Sequence, residues 1–66
     1  MEHIKSNHKD THGDDLEIFA TLSTGTIDLT AHEKGEGTTL ITFNVEQAQQ
    51  VVESMQRAIN FLLGDE

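Results

Sequence analysis

The sequence predicts an α+β fold, a three-stranded antiparallel β-meander followed by one C-terminal amphipathic helix packed on one sheet face (βββα). Three observations lead there. Two stretches alternate apolar and polar residues with period two, a third is rich in β-formers and uncharged, and a helix-start signal follows it directly.

The first alternation begins after Asp15. Leu16, Ile18, Ala20 and Leu22 share one parity, with Glu17, Phe19 and Thr21 on the other. Ser23 to Gly25 supplies a turn. Ile27, Leu29 and Ala31 then alternate with Asp28, Thr30 and His32. A second turn, Glu33 to Gly37, has two glycines free to take positive φ. The third strand is Thr38 to Phe43. Both connections are short, so neighbouring strands pair antiparallel. The expected inward set is Leu16, Ile18, Leu22, Ile27, Leu29, Ile41 and Phe43.

The helix starts without a linker. Asn44 is a good N-cap, Glu46 sits where the helix dipole favours an acid, and Gln47 stands three residues past the cap. Val45, Ala48, Val51, Val52, Met55, Ala58, Ile59, Leu62 and Leu63 then fall on an arc of roughly 140°. Gly64 is a natural residue to end the helix. Residues 15–64 thus read as a single domain. Residues 1–14 show no periodicity and read as a flexible polar tail, and 65–66 as an acidic end.

Sixty-six residues without a cysteine must find stability in packing, a metal or a partner. The lack of cysteine also excludes disulfides, thiolate zinc sites and cysteine nucleophiles. Twelve acidic against four basic residues give a formal charge of −8, which disfavours direct nucleic-acid binding and suits a basic protein partner or plain solubility. No stretch has the length of a signal peptide core or a membrane span, so the reading is a cytoplasmic protein.

A homodimer is expected. In the three-stranded meander Thr38 to Phe43 is an edge with no Lys, Pro or bulge to guard it. Phe19 and Leu40 fall on the sheet face away from the helix, among Thr21, Thr30 and Thr42. Phe61 falls about 60° outside the apolar stripe of the helix. Phe19, Thr38, Leu40, Thr42 and Phe61 are therefore the candidate interface residues, toward a second copy or another protein.

Catalytic signals are weak. His32 shares a strand face with Asp28 and Thr30, which pictures a general base oriented by a carboxylate. Ser23, however, belongs to a turn, and no phosphate loop or calcium loop is present. Met1-Glu2-His3 places an imidazole third in the chain, a pattern that offers Cu(II) or Ni(II) four nitrogens in a plane. Solvated histidines explain it as well, and no cofactor is expected. The functional expectation is a small acidic homo-oligomeric protein-binding or regulatory module without catalytic activity. The alternative is an acidic inhibitor, of mobile-element or phage type, that blocks a basic nucleic-acid-binding site on a host enzyme.

Overall fold

The computed structural model describes residues 2–64. Four strands and one helix follow in chain order: β1 (His3–Lys9), β2 (Asp15–Thr21), β3 (Thr26–Glu33), β4 (Gly37–Asn44) and α1 (Val45–Leu62). They form one antiparallel sheet in the order β1-β2-β3-β4, so each strand pairs with its sequence neighbour. The architecture is α+β, a sheet plus a C-terminal helix. The sheet has four strands rather than the three expected.

The additional strand comes from the stretch read as a flexible tail. His3 to Lys9 pairs with β2 from His3↔Thr21 to Lys9↔Asp15. Its sequence shows no alternation because only Ile4 reaches the apolar face, while Ser6 and His8 occupy the other two positions there. An edge strand with little to bury has little pattern to show. Lys5 and Lys9 give it the charged side chains that discourage pairing with another sheet.

The β1–β2 turn is organised by Asp10. Its Oδ1 accepts the backbone N–H of His12 at 2.8 Å and of Asp14 at 2.9 Å. Gly13 takes the left-handed conformation that closes this turn, with φ of 84°. Asp14 Oδ1 in turn accepts the N–H of Lys34 at 3.2 Å, tying this turn to the one between β3 and β4.

Register sorts the strands into two faces. On the inner face, cross-strand rows run Ile4–Ala20–Ile27–Phe43, Ser6–Ile18–Leu29–Ile41 and His8–Leu16–Ala31–Thr39. The outer face carries Lys5–Phe19–Asp28–Thr42, Asn7–Glu17–Thr30–Leu40 and Lys9–Asp15–His32–Thr38. Leu22, expected inward, lies just beyond β2 in the turn to β3 and is 77% exposed.

The chain passes from β4 into α1 at Asn44, where both halves of a capping box form. Gln47 N–H donates to Asn44 Oδ1 at 2.8 Å, and Asn44 N–H donates to Gln47 Oε1 at 3.0 Å. The helix ends as the sequence predicts: Leu63 N–H donates to the Ile59 carbonyl, and Gly64 turns out with φ of 85°.

α1 rises over the inner face but contacts only β3 and β4. It makes no close approach to β1 or β2, and Leu16 and Ile18 of β2 face it only across an open cavity. None of the described residues is buried, and the radius of gyration is 13.7 Å. A compact chain of this length has one of about 10.8 Å. The helix is attached to the sheet without being packed down on it.

Because the capping box joins strand to helix at Asn44, Asn44→Ala is expected to cost about 1 kcal/mol, with Asn44→Asp largely neutral. Urea unfolding at one fixed protein concentration measures both. Equal stability of parent and Asn44→Ala would count against the role given to the cap.

Candidate interaction surfaces

The largest apolar feature is the groove between α1 and the inner sheet face. Leu16, Ile18, Ile27, Leu29 and Phe43 form its floor, and Ala48, Val51, Val52, Met55 and Ile59 its helical wall. The cavity is about 390 Å³ and open to solvent. Groups that normally fill a core line it instead: Met55 is 60% and Val52 66% exposed. A second hollow of about 310 Å³ continues the same face toward β1, bordered by Ile4, Ala20, Leu22, Ile27 and Val45. The inner-face rows contain no Asp, Glu, Lys or Arg.

The outer face is polar and bound together by side-chain hydrogen bonds. Thr42 Oγ1 donates to Asp28 Oδ1 at 2.7 Å, and His32 Nδ1 lies 3.0 Å from Thr38 Oγ1. His3 stacks on Phe19 with ring centroids 5.0 Å apart. At the far end of β1, Lys9 and Asp15 form an ion pair. The bond between them raises the Lys9 pKa and lowers that of Asp15, with their opposite charges adding to it. Asp10 is lowered as well, chiefly by the hydrogen bond from the Asp14 N–H and then by that from His12.

The predicted interface residues do not form one surface. Phe19, Thr38, Leu40 and Thr42 all stand on the outer face, in three different rows. Thr38 and Thr42 have their hydroxyls engaged with His32 and Asp28, and Phe19 is covered in part by His3. Leu40 is 61% exposed. Phe61 belongs to α1 on the other side of the sheet and is also exposed. β4 is an edge of the four-stranded sheet, as expected for Thr38 to Phe43.

The pairing of Asp28 with His32 does not form. Four residues along one strand separate them by about 13 Å, and each bonds a threonine of β4 instead. His3 faces Phe19, while Met1, which would complete the copper or nickel pattern, lies outside the described residues. Among the described residues no group of three or more His, Cys, Asp or Glu is placed to hold a metal ion. No helix of the described residues is long and apolar enough to cross a membrane.

Sequence reasoning missed what depends on β1: the His3–Phe19 stack, the Lys9–Asp15 pair and the Asp10 turn. One signal was present. Asp10 to Asp14 carries Asp, Gly and Asp between two stretches of equal length, a hairpin spacing visible only once the polar stretch is considered as a strand.

No family model, no curated protein and no solved structure matches this chain.

The pH response of the β1–β2 hairpin follows from the shifted groups. Asp10 and Asp15 have folded pKa values below the ordinary carboxylate value. Their contribution is therefore present above about pH 4 and lost as pH falls through the folded values. Lys9, raised on folding, contributes below about pH 10.4 and loses that contribution as pH rises through its folded value. The urea midpoint at fixed protein concentration should fall in acid, and Asp10→Asn should make that fall shallower. An identical acid limb in parent and variant would show that Asp10 does not hold the turn.

Proposed function

We propose that this chain is the protomer of a small acidic homo-oligomeric protein-binding or regulatory module without catalytic activity of its own. The observation that carries the reading is an unfinished core. A folded monomer of 7.3 kDa exposes about 4,160 Å². This chain exposes 5541 Å², with the apolar helix stripe largely exposed and the apolar sheet face only half-buried. The difference, about 1,400 Å², is of the size that each protomer of an obligate homodimer buries. Apolar surface of that extent supports association, since it is far more than the scattered exposed side chains of ordinary monomers.

Association through the apolar groups would leave the polar outer face and the β4 edge for other proteins. The edge offers backbone groups for strand addition, and Leu40 offers an apolar contact beside it. A net charge of −8 favours a basic partner.

A second reading, an acidic inhibitor of a basic nucleic-acid-binding site, draws on one end of the sheet. There the Lys34–Asp14 hydrogen bond brings the turn bearing Asp10 and Asp14 beside the turn bearing Glu33 and Glu36. The cluster is small and Lys9 and Lys34 sit within it, so it supports the first reading's basic partner equally well.

Sedimentation equilibrium tests the oligomeric module. The expected mass is a multiple of 7.3 kDa, with a urea midpoint that rises with protein concentration. A species of single-chain mass that unfolds cooperatively at every concentration would overturn it. Partner binding is tested by affinity capture with Leu40→Lys, expected to lose the captured protein at unchanged oligomeric mass. Equal capture by parent and variant would remove the β4 side from the proposal.

A further inference from the structure

We infer that the occupant of the apolar groove is a second copy of this chain, its α1 laid over the bare β1–β2 half of the inner sheet face, so that two chains close one core. This rests on the homo-oligomeric reading and specifies its geometry.

The surfaces that need covering come as a complementary pair on a single chain. One is the uncovered half of the sheet, where Ile4, Leu16, Ile18 and Ala20 stand in adjacent rows of β1 and β2. The other is the helical wall of the groove, where Val52 and Met55, together with Leu62 further along the helix, are all at least 60% exposed. A two-fold axis brings the helix of each copy onto the bare sheet half of the other, burying both surfaces twice in one operation. A different protein would have to supply both an apolar helix flank and an apolar sheet to do the same.

Length and charge agree. The 18 residues of α1 span about 27 Å, and the seven residues of β1 or β2 about 23 Å, so the helix matches the strands it would cross or follow. The joint itself is free of like-charge contacts despite the −8 charge of each chain. The inner-face rows carry no formal charge, and Glu46 and Glu53 point off the apolar arc of α1. The excess exposed area, about 1,400 Å² per chain, gives a total near 2,800 Å² for a dimer, within the range of obligate homodimers.

The competing geometry, pairing of two β4 edges into one continuous sheet, would satisfy backbone groups but leave the groove and the β1–β2 half as they are. Covering the apolar face removes far more hydrocarbon from water than joining two edges does.

The test is an isotope-filtered NOE experiment on the full chain, with labelled and unlabelled copies mixed through a denatured state and refolded. The geometry predicts intermolecular contacts from the Met55 methyl and Val52 methyls to Leu16 and Ile18 of the other copy. In parallel, Met55→Asp should raise the dimer dissociation constant by roughly a hundredfold or more, as an unpaired charge entering an apolar joint does. Leu40→Pro, which removes an outward N–H from the open edge of β4, should leave it within about threefold. Intermolecular contacts confined to β4, or dissociation caused by Leu40→Pro and not by Met55→Asp, would overturn this geometry while the homo-oligomer stands. A folded monomer would overturn both. If Met55→Asp unfolds the chain, the NOE pattern of the parent protein decides.

Discussion

The structure depends on where about twenty apolar side chains can go when a 66-residue chain is too small to wrap around them. The four-stranded sheet is satisfied in its backbone by hydrogen bonds between consecutive strands, and the helix by its own ladder and caps. Neither element is satisfied in its side chains. The inner sheet face and the apolar arc of α1 are the two halves of a core, held at one end by Asn44 and brought together only over β3 and β4. Everything else in the molecule follows from that incomplete closure, including the open groove, the extended dimensions and the high exposure of Val52 and Met55.

The junction at Asn44 explains how such an arrangement holds its shape. A capping box directly after a strand leaves no flexible linker in which the helix direction could drift. The helix is thereby presented at a set angle to the sheet, with its apolar arc pointed down and across toward β2. The outer face is organised differently. There, threonines of β4 bond Asp28 and His32, and β1 adds an aromatic stack and an ion pair. These contacts are exposed, so each contributes little to stability. They do fix side-chain positions on the one face that a proposed dimer would leave free.

The β1 strand shows why an edge can escape a reading based on hydrophobic period. Its inner-face positions are Ile4, Ser6 and His8, of which one is apolar, because little sits above that side within a single chain. Its pairing is decided by the Asp10 turn and by the free edge of β2, which offers a ladder to any seven-residue stretch delivered beside it. Lys5 and Lys9 then mark it as a guarded edge. β4, at the opposite side of the sheet, carries no such guard.

The parity of β2, β3 and β4, both turns between them, the helix with its N-cap and its glycine stop, and the absence of cysteine chemistry were all legible in the residues alone. These are local matters, written in residues a few positions apart, and the local signals agreed with one another. Period two also put Phe19 and Leu40 on the face opposite Ile18 and Ile41, which is where the register places them. The fourth strand, the separation of Asp28 from His32 and the incompleteness of the core came instead from how the elements are assembled. The physical reason is the same in each case. Pairing of β1, the rows across the outer face and the height of α1 above the sheet depend on register and on the angle between elements. Neither quantity is encoded in the period of any one segment.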